Sequence, residues 1–563
     1  MMFKTRSTTP LLLAAILLAA FLLRFWGIQF GLPFLYHADE PILVNHALAY
    51  SSGDFNPHFF KIPPLVSYLL FFVYGILFFV GKLIGTWQNP QDFETLFYSD
   101  PSLFYFSGRL LFGALLGTLS VGALYRMMQY HWGKKKALLG ALYFAVAFNH
   151  VKNSHYLYAD IPLGFVLILA FHEILKFEVY PQGIRSLKIG ALMGLAGAVK
   201  YNGIFIAFPY LLSLLGKRSF RQVFLHFFAA AFCAAVVFLL LNPFALLDYG
   251  HFLREIIQQS KSHGPVGLFH HFLYSLKGGL GSPLLCLSLL GLLKSFHPWD
   301  KKRVSVSFFI VAYYLLISFK GQPYDRYVLP LLPFICLLAA DASEWIIERI
   351  KWGKRFAIYF VILGAIFYPL LSSVLYDQIM SQQDTRTLAK NWIEANLSKE
   401  TVIALDSDFF MPRLLPSEKQ LEQKKLTILE SGHHYESKLR KLNYLLSQTR
   451  EGESRFELYF MTGEGPDSLR FLYATPTVAY DWEALKSKGI RYVLIAALQK
   501  TRNPPSFFEP LSSHAKRIQT FSPYRNPEIE YALDAISMTG GPFTMDELLS
   551  RQRPGPILQL YEI

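Results

Sequence analysis

The sequence predicts a polytopic α-helical membrane protein that passes, near residue 376, into a small soluble α/β domain. Three observations predict it. Apolar runs of roughly 17 to 25 residues recur along the first two thirds of the chain, the length a helix needs to cross a bilayer. Of the 563 residues, 53% are hydrophobic and only 17% charged, with a mean hydropathy of +0.30. The lysines and arginines fall mostly between the apolar runs, the placement that orients membrane helices. That placement also accounts for the net charge of +14. No basic face with interleaved aromatics appears, which argues against a nucleic-acid partner. Cys233, Cys286 and Cys336 all lie inside apolar runs, so neither a disulfide framework nor a metal-ligand spacing follows from them.

Taken in order, the first run, 11–28, follows Lys4 and Arg6, which sets the N-terminus inside and the next loop outside. It carries Arg24 and lacks a small-residue cleavage site, so it reads as a retained span and not a signal peptide. Residues 63–80 are long enough to cross. If they crossed, the acidic stretch 86–104 would lie inside and Lys134-Lys135-Lys136 outside, against the charge bias at both places. This segment is therefore expected to lie along the outer face or to re-enter, leaving 104–128 as the second span. Residues 137–149 lead outward and 161–175 return. The run 189–215 is interrupted at Val199-Lys200-Tyr201-Asn202-Gly203 and flanked by cations at both ends, which predicts two short helices meeting near Lys200. Segments 223–241, 284–293, 304–319, 329–340 and 356–375 complete about eleven helices, with 242–276 as an outer loop. The expected division is a membrane domain at 1–375, with its first outer loop at 29–103, and an outer domain at 376–563. In that second domain 384–396 and 482–488 read as helices and 401–405 and 490–496 as short buried strands. Gly540-Gly541-Pro542 reads as a turn, not a phosphate loop.

The ionisable residues gather on one predicted side. Asp39 and Glu40 stand just beyond the first span, where Pro41 also permits the plain reading of acids in the first turn of a helix. Asp160 opens a helix at Asp160-Ile161-Pro162 and can be a cap or a functional acid. Lys200 lies in the middle of an apolar hairpin, where an unpaired charge costs at least ~2.5–3.5 kcal/mol, and a functional role is the default. Arg24 can snorkel to the interface or pair. Lys61 and Arg109 read as interfacial anchors, and Arg326 can pair with Asp325. His37 and His155 read as interface histidines, and His270-His271 has no acidic partner at helical spacing for a metal. Several cations near one acidic centre suit a lipid phosphate, which needs them both to bind and to leave.

These residues resemble a known family. Arg24, Gly31-Leu32-Pro33, Asp39-Glu40, Gly53-Asp54-Phe55-Asn56-Pro57 and Lys61-Ile62-Pro63-Pro64 are similar to the first outer loop of the GT-C membrane glycosyltransferases, of the protein O-mannosyltransferase and lipid A aminoarabinose transferase type. Ser154-His155, Asp160-Ile161-Pro162-Leu163, Gly194, Lys200-Tyr201, Asn242-Pro243 and Arg326-Tyr327 follow in the family's order. Asp384, Arg386, Ala389 and Trp392-Ile393 resemble the start of the outer domain of bacterial members. The resemblance implies a polyprenyl-phosphate-linked sugar as donor and inverting transfer to an acceptor hydroxyl on a lipid, glycan or protein. In that frame Asp39 is the general base, Glu40 orients the acceptor or the base, and Asp160 is a second carboxylate. Lys61, Arg109, Lys200 and Arg326 hold the donor phosphate. Arg24 supports Asp39 or Glu40, with His37, His155 and Tyr327 in further support. No recognisable sugar-binding insertion stands at 242–276, so a protein acceptor is not favoured. No metal site is evident, although a divalent cation between Asp39 and Asp160 stays open. The implied location is a bacterial inner membrane, with the N-terminus cytoplasmic and the C-terminal domain outside. The alternative is a transporter or flippase for lipid-linked sugars. A transporter favours internal repeats and polar sites at the bilayer midplane, and neither is found.

Overall fold

A computed structural model of the chain describes residues 9–215, 219–262, 264–297, 299–350, 353–406, 410–430, 436–448, 454–462, 476–497, 505–526, 528–529 and 544–563. Among these, seven helical stretches are long and apolar enough to cross a membrane: Leu65–Leu83, Ser102–Trp132, Phe220–Leu241, His271–Lys294, Lys301–Phe319, Asp325–Arg349 and Arg355–Asn396. Thr9–Phe25 and Tyr201–Leu214 are shorter apolar helices. Helix Asp160–Val179 is long enough but carries Asp160, Glu173, Lys176 and Glu178, which dilute its hydropathy. The chain is thus mostly helical, with fewer long apolar helices than the eleven expected.

Two departures from regular helix position the charged residues. The stretch Ser102–Trp132 contains a π-helical segment, Arg109–Leu115. Here Gly113 lies so close to the following loop that a Cβ would meet the Ser154 carbonyl oxygen at 2.1 Å. The run at 183–214 breaks as expected: helix Gly183–Val199 ends at Lys200, which is extended (φ −156°, ψ 132°), and a 3-10 turn opens the next piece. Gly203 permits the tight return, because a Cβ there would lie 2.4 Å from the Ala196 carbonyl oxygen. The segment expected to be an outer loop, 242–276, is instead largely helical. It holds Phe244–Leu247 and Tyr249–Ser262, and its last residues already belong to the stretch His271–Lys294.

The C-terminal residues build a six-stranded sheet in the order β3-β2-β1-β4-β6-β5. Its strands are β1 Val402–Leu405, β2 Glu457–Thr462, β3 Thr477–Ala479, β4 Tyr492–Ala496, β5 Lys516–Phe521 and β6 Leu558–Glu562. β1 pairs in parallel with β2 and β4, and β2 with β3, whereas β6 runs antiparallel to β4 and β5. The runs Val402-Ile-Ala-Leu and Tyr492-Val-Leu-Ile-Ala are apolar on both faces because both faces are covered, as central parallel strands require. Helix Thr385–Asn396 packs on one face through Ala389 and Ile393. The proposed turn at Gly540-Gly541-Pro542 lies outside the described residues.

Candidate functional site

Asp39 occupies the N-cap position of helix Glu40–Ala49, yet its side chain makes no capping bond. It turns instead to Arg326, whose Nη1 lies 2.5 Å from Oδ2, and the pair keeps partial exposure (28% and 16%). Burial alone pushes the Asp39 carboxyl up; the Arg326 guanidinium and the neighbouring cations outweigh it and hold the group below the usual carboxylate value. The Asp39 backbone N–H donates to His37 Nδ1 at 3.3 Å, and the His37 ring stacks on Tyr156 with centroids 4.3 Å apart. Burial drives the His37 pKa down against the pull of Glu40 and Asp39.

Glu40, one residue on, lies elsewhere. It is fully buried, and its two oxygens accept from Arg109 Nε and Nη2, both at 2.7 Å, while Oε1 also accepts from the Leu157 backbone N–H at 2.8 Å. Arg109 Nη1 donates to the carbonyls of Ile28 and Phe30 at 2.8 and 2.7 Å. Two sequence expectations need correction here. Arg109 does not face a phosphate site, because its guanidinium closes the turn after the first helix, and Glu40 faces Arg109 rather than an acceptor. An interfacial arginine next to a turn with unsatisfied carbonyls is drawn inward when a carboxylate waits there.

A second ion pair stands beside Asp39–Arg326. Lys200 Nζ lies 2.6 Å from Asp160 Oδ1, and Asp160 Oδ2 is buried without a hydrogen-bond partner among the described residues. Tyr158 joins the two pairs: the Arg326 guanidinium lies 4.6 Å and Lys200 Nζ 5.4 Å from its ring centroid. Tyr327 flanks Lys200 at 5.5 Å. Asp160 opens helix Asp160–Val179 without capping it, so the side chain serves Lys200 and not the helix end. Lys61 is half-buried and makes no ion pair among the described residues. Its neighbour Phe60 is held nearby, since its carbonyl accepts from Tyr201 Oη at 2.8 Å.

The structure places the remaining predicted residues apart. Arg24 supports neither Asp39 nor Glu40; its Nη1 donates to the Ala20 and Ala145 carbonyls at 2.8 and 2.9 Å, and its Nη2 meets the Phe144 carbonyl and His150 Nδ1. Helix Lys134–Val146 ends at this point and leaves carbonyls unpaired, which a buried guanidinium satisfies. His155 bridges the Trp26 carbonyl, at 2.8 Å, and Asp377, at 3.3 Å, away from the Asp39 group. Asp325 pairs with the buried Lys152 at 2.5 Å, not with Arg326. Sequence reading missed Lys152 and Tyr158. Lys152 lies in the polar stretch 149–155 just beyond an apolar run, so it lacked the signal that exposed Lys200, and Tyr158 carried none.

The opposite end of the same helices is marked by Asp341. Lys136 Nζ and Lys294 Nζ approach its oxygens at 2.6 and 2.5 Å, and Arg303 lies at 3.6 Å. Three separate basic clusters thus meet one acid at the far end of Asp325–Arg349 from Arg326. Fifteen residues separate the two positions, the first few in a 3-10 turn and the rest α-helical, roughly 25 Å in all.

Fold and site together define a polytopic membrane protein with paired acids and bases gathered at one end of a helical bundle. Residues 105–246 match the family model described as Dolichyl-phosphate-mannose-protein mannosyltransferase, a stretch that includes Arg109, Lys152, Asp160 and Lys200. The chain is also 32% identical over 128 residues to dolichyl-phosphate-mannose--protein mannosyltransferase 1 of Saccharomyces cerevisiae, a match covering 22% of this chain and 16% of that one. The resemblance to membrane glycosyltransferases is borne out by these matches. Among solved structures, ArnT from Cupriavidus metallidurans bound to undecaprenyl phosphate superposes with a TM-score of 0.49 at 13% identity, covering 91% of this chain and 97% of that one. The Archaeoglobus fulgidus oligosaccharyltransferase in its apo form gives 0.48 at 12%, covering 88% and 70%.

Proposed function

We propose that the chain is an inverting glycosyltransferase that moves a sugar from a polyprenyl-phosphate donor to an acceptor hydroxyl on the outer face of a bacterial inner membrane. The observation that carries the reading is the side-by-side arrangement of Asp39–Arg326 and Asp160–Lys200 around Tyr158. The mannosyltransferase match over 105–246 supports the reaction class.

In this mechanism the ionised Asp39 takes the acceptor hydroxyl proton as that oxygen attacks the anomeric carbon. The carbon–oxygen bond to the phosphate breaks on the opposite side, which inverts the centre. The polyprenyl phosphate leaves with the bonding pair, and Lys200, Arg326 and Lys61 stabilise its charge. Asp160 holds Lys200 in place, and Tyr158 and Tyr327 wall the cations. Each carboxylate already faces a side-chain cation, so no step is routed through a divalent ion. Arg109 and Glu40 act as a structural pair. Eleven membrane helices, a domain boundary at 375/376, a cytoplasmic N-terminus and an outer C-terminal domain complete the proposal. The cations on Asp341 support that sidedness, since lysines and arginines favour the cytoplasmic end.

The test is the purified protein with radiolabelled polyprenyl-phosphate sugars, scoring sugar transfer or release. Turnover in the wild type is the expected result. Binding of the lipid-linked sugar without any turnover, over a pooled set of donors and acceptors, overturns the reading in favour of transport.

A further inference from the structure

We infer that the outer face holds a second site, a divalent metal site of zinc type formed by His58, Asp248 and His251. Their ligating atoms all lie within 4.8 Å of one another. Two imidazoles and one carboxylate form a donor set that suits zinc and its neighbours, with a fourth position open to water. A tetrahedral ion with bonds of about 2.0–2.1 Å spaces its ligands about 3.4 Å apart, so side-chain adjustments of about an ångström close the set.

The surroundings are arranged as outer partners of such a site. His251 turns Nδ1 toward Asp248 Oδ2 at 3.6 Å and Nε2 toward Glu255 Oε1 at 3.8 Å, so one nitrogen faces the ion while a carboxylate orients the other. His58 Nε2 lies 2.8 Å from Asp54 Oδ2, which leaves Nδ1 with the free lone pair. Asn56 Nδ2 donates to Asp248 Oδ2 at 3.0 Å and fixes that carboxylate. The backbone holds His58 at φ +47°, a conformation that costs a non-glycine residue and persists where its surroundings demand it. Asp54, Asp248 and Glu255 bring three negative charges beside two histidines, and a divalent cation offsets them.

The ligands come from two separate segments, the loop at 54–60 and the start of helix Tyr249–Ser262 with Asp248 just before it, so an ion ties one to the other. The same junction carries Phe60, whose backbone N–H donates to Glu255 and whose ring meets His251 edge-on at 5.4 Å. Lys61 follows directly. The ion therefore braces the loop that presents Lys61, and its binding can be measured without reference to the reaction.

The experiment uses the full chain in detergent, stripped with chelator and titrated with Co²⁺ alone, following the visible absorption of tetrahedral cobalt and its loss on adding Zn²⁺. One equivalent is expected. His58→Ala and His251→Ala are each expected to weaken binding at least ~10-fold, whereas His270→Ala and Asp39→Asn bind as the wild type does. No cobalt uptake overturns the proposal, and so does uptake that survives both histidine variants. Size-exclusion elution at the wild-type volume shows that the exposed His58 variant is folded.

Discussion

Asp39 and Glu40 are neighbours in sequence with the same chemistry and opposite surroundings. Asp39 keeps 28% of its side chain exposed and meets an arginine that is also partly exposed, whereas Glu40 and its arginine are both at 0%. The first pair can exchange partners with an arriving substrate; the second is sealed, with both oxygens and the guanidinium satisfied. The difference separates a group placed to react from a group placed to hold the loop. Helix geometry produces it: at the first turn of Glu40–Ala49, adjacent side chains point about 100° apart, one to the cluster and one into the bundle.

The sharpest way to break this comparison is at Asp39. Asp39→Asn is expected to lower turnover by about 10²–10⁴-fold, the range for losing a general base, in a protein that still folds in detergent. Wild-type turnover in that variant removes the role assigned to Asp39. At Glu40 the expected effect is on stability. Arg109→Met leaves a buried carboxylate unpaired and costs about 3–5 kcal/mol, read as a lower unfolding midpoint, and the double variant Glu40→Gln/Arg109→Met recovers part of it. A midpoint like the wild type's in Arg109→Met shows that the pair holds nothing.

The pH dependence sharpens the same contrast on a smaller scale. Burial raises the Asp39 pKa, but Arg326 and the neighbouring cations outweigh it and hold the folded-state carboxyl below its ordinary value. The stability it contributes is present above that value and is lost as pH falls through the lowered pKa of the folded state. In Arg326→Gln, burial acts unopposed by that guanidinium, so the acid limb of kcat/KM is expected to move to higher pH. An acid limb that stays in place points to a different base. The smallest effect is expected where the C-terminal domain touches the loop leading to Asp39: the Arg386 guanidinium lies 3.9 Å from the Tyr36 ring centroid, and Tyr36 Oη is 3.1 Å from Thr387 Oγ1. Tyr36→Phe removes one hydrogen bond, worth about 1 kcal/mol, and is expected to shift the midpoint slightly while leaving turnover intact.

Much of this was legible before any coordinates. Lys200 announced itself as a charge inside an apolar run, and its break in the helix followed from cations at both ends of one hydrophobic stretch. Asp39, Asp160 and Arg326 were legible as acids and a base at predicted outer ends of helices. Which cation meets which acid was not. Arg24, Arg109 and Arg326 are each a plausible partner for Asp39 in a linear reading, and the choice depends on which backbone carbonyls are left open where helices end. Arg24 went to Phe144 and Ala145, and Arg109 to Ile28 and Phe30, for that reason. Tyr158 was illegible because its part in the cluster is the position of a ring between two cations, which no spacing rule encodes.

The helix Asp325–Arg349 is fastened at both ends, by Asp39 on Arg326 and by three cations on Asp341, and 78% of its apolar window is buried. A slide or rotation of that rod breaks contacts at both termini together, so it behaves as a fixed wall. Phe220–Leu241 has only 11% of its window buried. It meets the bundle along one narrow face, where Gly190 and Gly194 let the backbone at Ala230 and Ala234 come close.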